Sequence, residues 1–122
     1  MSQIKTFRDL IAWQRSMTLA KMLYPEVAHM PPTEQFGLTM QMRRAAISVP
    51  SNIAEGYARQ STADYIKHLR IARGSLAELS TQYELAIELG MLKPNQSVLN
   101  AIAETDRVLQ GLIRSLQNKR DN

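Results

Sequence analysis

The chain has 122 residues, 44% apolar and 21% charged, with no cysteine and only 5 glycines and 5 prolines. That is the size and composition of one globular domain; it excludes a disulfide framework and thiolate metal sites, and it leaves little material for a turn-rich β architecture. Net charge is +4 but unevenly spread: residues 43–78 hold six basic residues against three acidic, residues 79–106 one against four, and residues 107–122 four against one. Such polarity suits either a nucleic-acid footprint or subunits that meet through complementary surfaces. The opening stretch to Asp9 carries charges where a secretory signal would be apolar, and no apolar run approaches the roughly 20 residues needed to span a bilayer, so the expected address is cytoplasmic, away from membranes.

In chain order, Thr6-Phe7-Arg8-Asp9 resembles a capping box and predicts a first helix over about 7–28. Leu10, Trp13, Met17, Ala20 and Tyr24 mark its core face, and it kinks or ends between 24 and 29, at Pro25 or before Pro31. Thr33 followed by Glu34 starts a second helix over about 33–58, whose apolar phase survives Pro50, so a bend is expected there rather than a break. Ser61-Thr62-Ala63-Asp64 caps a third over about 62–89, with Tyr65, Leu69, Ala72, Leu76, Leu79, Tyr83 and Ala86 inward and Gly90 as its left-handed stop. A fourth, about 96–119, begins at Asn95 or Ser97 and turns Val98, Ile102, Leu109, Leu112 and Leu116 inward. The prediction is all-α: a single domain, 1–122, folded as an antiparallel up-and-down four-helix bundle with helix two bent at Pro50.

Each of the first three helices carries a second apolar face. Helix three has Ile71, Leu85 and Leu89 opposite its core stripe, with Gly74 and Glu78 between them. Helix two sets Phe36, Met40, Ile47 and Ala54 against Leu38, Met42, Ala45, Val49 and Ile53, and helix one has Leu19 and Leu23 behind Trp13 and Met17. A lone bundle needs one apolar face per helix, so the surplus predicts self-association through Ile71, Gly74, Leu85 and Leu89. The other reading is that bends at Pro25 and Pro50 make one face look like two.

Between the faces of helix two runs a polar seam, Gln41, Arg43, Arg44, Ser48, Asn52 and Glu55. Arg44 and Glu55 are 11 positions apart, roughly 16 Å on a helix, and must therefore meet other helices or ligands. Glu78 is the expected partner of Arg43 or Arg44, in a seam that holds helices in register. Phe7 to Trp13, Glu34-x-Phe36-Gly37-Leu38, the run from Gln41 to Gly56 and Gly74-Ser75-x-x-Glu78 together resemble the bacterial four-helix-bundle family encoded by intervening sequences within 23S ribosomal RNA genes. That family is similar to the accessory variability protein of diversity-generating retroelements, a basic pentamer that binds nucleic acid beside a reverse transcriptase. The resemblance implies a homopentamer whose seams are the second apolar faces, a basic surface for RNA or DNA, and a reverse-transcriptase-like partner. Against those strongly basic accessory proteins, +4 is modest.

Arg59, Lys67, Arg70 and Arg73 form the best candidate phosphate-binding patch, with Lys67 and Arg70 on adjacent turns; the plain alternative is a solvated helix face. Glu26-x-x-His29 has a di-iron spacing but occurs once, and no cofactor or metal is expected. No serine has a histidine at a helical spacing, and the glycines are isolated, so no enzyme is expected. Trp13 and Tyr24, Tyr65 and Tyr83 are assigned to core faces and not to base stacking. The sequence therefore predicts a non-enzymatic, nucleic-acid-associated homo-oligomer, with a pure protein-interaction scaffold as the rival.

Overall fold

The computed structural model describes residues 3–121 and contains four α-helices: α1 (Ile11–Val27), α2 (Leu38–Tyr57), α3 (Thr62–Glu88) and α4 (Gln96–Asp121). Met1, Ser2 and Asn122, which belong to the predicted single domain, lie outside the described residues, among which there is no strand. The protein is an all-α four-helix bundle in which α1 packs on α2 and α4, and α3 packs on the same two helices.

The cap at Thr6 forms, but it caps a short 3₁₀ turn, Phe7–Asp9, and not α1. The Thr6 hydroxyl accepts from the Arg8 amide at 3.1 Å, and the Asp9 carboxylate accepts from the Lys5 and Thr6 amides at 2.8 and 3.0 Å. Leu10 is then extended (φ −73°, ψ 127°), which buries its side chain before α1 begins. The second prediction shifts in the same way. Thr33 lies in a 3₁₀ turn, Pro32–Glu34, and α2 begins four residues after Glu34, where the Glu34 carboxylate accepts from the Leu38 amide at 3.1 Å. Thr6 and Asp9 satisfy backbone donors as expected, whereas at the second place the acceptor is Glu34 and Thr33 caps neither the turn nor α2; in both places a tight turn precedes the regular helix.

The two prolines inside helices differ. Pro25 lies exposed near the end of α1, which continues to Val27, whereas Pro50 is buried and α2 is continuous from Leu38 to Tyr57 around it. The end of α3 follows its local chemistry: Gly90 takes φ 75°, its amide donates to Ile87, and the Met91 amide donates back to Ala86. Only a residue without Cβ adopts that conformation without strain.

The core contradicts the predicted inner face of α1. Ala12, Ser16, Leu19, Leu23 and Val27 are the buried stripe; Trp13, Met17 and Ala20 are half-buried and Tyr24 is 42% exposed. Leu19 and Leu23, assigned to the surplus face, are at the centre of the bundle. The two stripes are only about 100° apart, and small Ala12 and Ser16 let α1 approach its neighbours while the amphipathic rings of Trp13 and Tyr24 occupy the wet margin. On α2 the buried set is Thr39, Met42, Ala45, Ala46, Val49, Pro50, Ile53 and Gly56; Ile47 stays outside at 47% exposure, as does Phe36, ahead of the helix, at 79%. Helix α3 buries Leu69, Ala72, Leu76, Leu79, Tyr83 and Ala86, with Tyr65 half-buried; α4 buries Val98, Ile102, Leu109 and Ile113, with Leu112 and Leu116 half-buried.

Candidate nucleic-acid interface

Six contacts, two for each of three helix pairs, set the register that positions the charges. Arg15 pairs with Glu104 at 2.9 Å while Glu26 accepts a hydrogen bond from Asn95, so residue numbers rise along α1 as they fall along α4. Arg73 reaches Asp106, and the Tyr83 hydroxyl accepts from the Asn95 amide at 3.2 Å, giving the same opposed sense to α3 and α4. Ser48 bonds Ser75 and Asn52 meets His68, which does so for α2 and α3. The end of α2, the start of α3 and the end of α4 therefore gather at one end of the bundle. Arg59, Lys67, Arg70, Arg114, Lys119 and Arg120 collect there, while Glu26, Glu84 and Glu88 collect toward the other.

The four predicted phosphate ligands divide into two pairs. Arg59 is committed to Glu55 one turn back, at 3.1 Å. Arg73 donates from Nε to Asp106 Oδ1 at 2.7 Å and from a terminal nitrogen to Oδ2 at 3.4 Å, and Gln110 donates to the same carboxylate at 2.6 Å. The side-chain hydrogen bond to Asp106 raises the Arg73 guanidinium above its ordinary value, and the Arg73 bond holds the Asp106 carboxyl below the ordinary 3.8 against a smaller opposing effect of burial. Lys67 and Arg70 are exposed and have no carboxylate partner among the described residues. Ser61 orients them indirectly: its hydroxyl accepts from the Asp64 amide at 3.1 Å and starts α3 with an acid in the first turn, where the helix dipole favours it.

Beside this pair, α3 and α4 part to form a groove of about 890 Å³, with Arg70, Arg73 and Arg114 at one end and Leu76, Ile102 and Ile113 lining its apolar part. Sequence reasoning missed Asp106, which ties up Arg73, and it assigned Arg114, with Lys119 and Arg120, to a solubilising last turn of helix four, whereas Arg114 shares the groove with Arg70. Neither has a signal in local spacing, because the partners lie on different helices.

The predicted polar seam divides as well. Its lower half is a ladder between α2 and α3. Ser48 and Ser75 hydroxyls lie 2.8 Å apart, the Asn52 amide donates to Ser48 carbonyl and hydroxyl at 2.9 and 3.0 Å, and His68 Nδ1 lies 3.4 Å from Asn52 Oδ1 and 3.8 Å from Glu55 Oε2. Its upper half does not join. Gln41 and Arg44 are exposed, and Arg43 stacks its guanidinium 5.5 Å from the Tyr24 ring centroid. Neither arginine pairs with Glu78, which is exposed and without an ion-pair partner among the described residues. An aromatic face from α1 thus replaces the expected carboxylate from α3.

Tyr24, expected in the core, carries that stacked arginine instead. Tyr65 keeps a half-buried position edge-on to Tyr57, 6.0 Å between centroids, and burial pushes its hydroxyl up to about 12, with the neighbouring phenol adding to the effect. It stays protonated at neutral pH. Among the described residues no serine or threonine hydroxyl bonds a histidine, and no three His, Asp or Glu side chains gather as metal ligands. What the arrangement offers chemically is a row of cations suited to phosphate oxygens. Among the described residues no helix is long and apolar enough to cross a membrane.

A family model described as 23S rRNA-intervening sequence protein matches residues 8–113. The chain belongs to that family. The match covers all of α1, α2 and α3 and most of α4, and so includes the polar ladder, all four candidate cations and the groove as far as Ile113. A comparison with curated proteins found no match.

Proposed function

We propose that this member of the 23S rRNA-intervening sequence protein family is a non-enzymatic homo-oligomer that associates with nucleic acid through backbone phosphates, its cations presented by a bundle that self-associates through the outer face of α3. The observation that supports this reading is the state of Lys67 and Arg70: both are exposed, adjacent on one helix and without acid partners among the described residues, at the basic end of the molecule. Desolvating them costs little that is not regained from phosphate, whereas Arg59 and Arg73 would first have to leave Glu55 and Asp106. Self-association is supported by Ile71, Leu85 and Leu89, 43%, 47% and 57% exposed along one face of α3. A ring of five is the stoichiometry implied by the resemblance to the retroelement accessory proteins, and repetition around a ring would multiply a weak contact.

The aromatic rings of the basic end favour contact with the phosphate backbone over base stacking. Tyr57 and Tyr65 pack edge to face, and Phe7 and Trp13 do so at 5.4 Å, all four half-buried. Duplex or structured RNA, which presents paired bases and continuous phosphates, is the expected class.

The test is a binding titration of the full chain against duplex DNA, structured RNA and single strands at several salt concentrations. Affinity should fall steeply with salt, and Lys67→Glu with Arg70→Glu should abolish binding while oligomer mass stays unchanged. If the double variant changes the mass and the wild type binds no nucleic acid, the protein is an assembly scaffold whose charged surfaces pair between subunits.

A further inference from the structure

We infer that Glu55 gates nucleic-acid binding by pH: it holds Arg59 while His68 is neutral and turns to His68 when that ring takes a proton, releasing Arg59 to the phosphate backbone. This rests on the phosphate-binding reading proposed above and names how that site is regulated. One carboxylate faces two nitrogen partners. Glu55 Oε1 takes the Arg59 guanidinium at 3.1 Å, and Oε2 lies 3.8 Å from His68 Nδ1.

The neighbours of His68 fix which ring nitrogen carries hydrogen. Asn52 Nδ2 donates to the Ser48 carbonyl at 2.9 Å and to the Ser48 hydroxyl at 3.0 Å, so its Oδ1 is the atom turned to His68, 3.4 Å from Nδ1. Both atoms facing Nδ1 are therefore acceptors. Nδ1 keeps its hydrogen in either charge state, and the second proton adds at Nε2. The side chain is also anchored. It is only 14% exposed, and its Cβ sits so close to Gly56 that a Cβ added there would lie 2.7 Å away. Arg59 is the loose partner, beyond the end of α2 in the joint to α3 and 48% exposed. Once charged, an anchored imidazole loses less side-chain freedom on pairing than an arginine at the surface, so protonation decides which of the two Glu55 holds.

The charges around His68 leave that choice to Glu55. From α2 only Asn52 and Glu55 reach the ring. On its own helix, Asp64 one turn back is exposed and makes no ion pair with it, Lys67 points to solvent, and burial keeps the Tyr65 hydroxyl protonated, its pKa pushed up to about 12. Among the described residues, neither α1 nor α4 forms a hydrogen bond or ion pair with His68. Glu55, Arg59 and neutral His68 sum to zero charge; the added proton makes the group +1 at the end of the bundle that carries Lys67 and Arg70. The sign follows: affinity for phosphate rises as pH falls through the range where histidines ordinarily charge.

The experiment is a fluorescence-anisotropy titration of the full chain against labelled duplex DNA and a labelled RNA hairpin, with circular dichroism confirming that each variant is folded at both pH values. Wild type should bind about five- to tenfold tighter at about pH 5.5 than at about pH 8, with a salt slope steeper by about 0.9, the counterion release of one added phosphate contact. His68→Gln and Arg59→Gln should each lose this gain. Glu55→Gln, which leaves Arg59 unpaired at every pH, should already bind at the higher pH as tightly as wild type does at the lower. Arg59 and Glu55 are exposed, so these two variants carry the test even if His68→Gln does not fold. His29→Gln removes the other histidine of the chain and should keep the wild-type response. If wild type binds equally at both pH values, or His68→Gln keeps the gain, the gate is wrong while nucleic-acid binding stands. If Arg59→Gln keeps the gain, or Glu55→Gln binds no tighter than wild type at the higher pH, the exchange of Glu55 between its two partners is wrong. A wild-type protein that binds neither probe at either pH overturns the phosphate-binding reading and the gate together.

Discussion

Toward α2, the fit of α3 is so close that a Cβ on Gly56 would come within 2.7 Å of the His68 Cβ and 3.2 Å of the Tyr65 carbonyl oxygen, whereas toward α4 a Cβ on Gly74 would meet nothing within 4 Å. The first side is closed by Met42, Val49 and Ile53 of α2 with Leu69 and Leu79 of α3, all at zero exposure, with the Ser48–Ser75 and Asn52–His68 contacts running through it. The second is spanned by Arg73–Asp106 and Tyr83–Asn95 over an open groove. One helix thus has a side that specifies the fold and a side left available for contacts. Small residues serve both, but for opposite reasons: Gly56 permits backbone approach within the chain, and Gly74 leaves space for something outside it.

Substitutions at the two glycines break that comparison most directly. Gly56→Ala should cost about 1–3 kcal/mol, because the obstructing atoms are a Cβ and a backbone carbonyl that cannot swing aside; chemical denaturation of wild type and variant measures it. Next comes the ladder. Asn52→Ala removes both donations to Ser48 and should cost about 1–2 kcal/mol, while the same substitution at exposed Gln41, higher on the same seam, should change stability by less than about 0.5 kcal/mol. Gly74→Ala has the opposite sign to Gly56→Ala: with no steric conflict it should stabilise α3 by roughly 0.5–1 kcal/mol through helix propensity alone. If it destabilises instead, the α4 side is closer packed than its open groove implies.

The smallest effect is electrostatic. The folded protein holds Asp106 below its ordinary 3.8, chiefly through Arg73, so the pair contributes stability above pH 3.8 and loses it as pH falls through the lower folded value. Asp106→Asn should therefore lower stability near neutrality by less than about 1 kcal/mol, the pair being a third to a half exposed, and should flatten the acid limb of a stability against pH curve. A variant equally stable at pH 7 but with an unaltered acid limb would mean that the pair contributes nothing.

Much of the bundle was legible because its signals are local. Ser61 capping α3 and Gly90 stopping it are backbone devices that work over four residues, and the inward stripe of α3 from Leu69 to Ala86 has one clean period. Helix α1 was misread because two apolar stripes lie side by side on it, and periodicity counts residues without weighing size: nothing in the spacing tells that Ala12 and Ser16 go inward while Trp13 takes the margin. Of the candidate site, the positions of the cations on α3 were readable, but their availability was not. Whether Arg59, Lys67, Arg70 or Arg73 is free depends on where Asp106 and Glu55 lie, and Asp106 is 33 positions from the arginine it holds.

The amino-acid sequence by itself determined the number of helices, their stops and the excess of apolar surface, since these follow from hydrogen-bond chemistry and residue periods within a few turns. Only the tertiary structure decided which apolar stripe of α1 is the core, which arginine stacks on Tyr24 instead of pairing with Glu78, and which side of α3 stays open. Those outcomes depend on distances between residues far apart in the chain, and such distances exist only once the helices have packed.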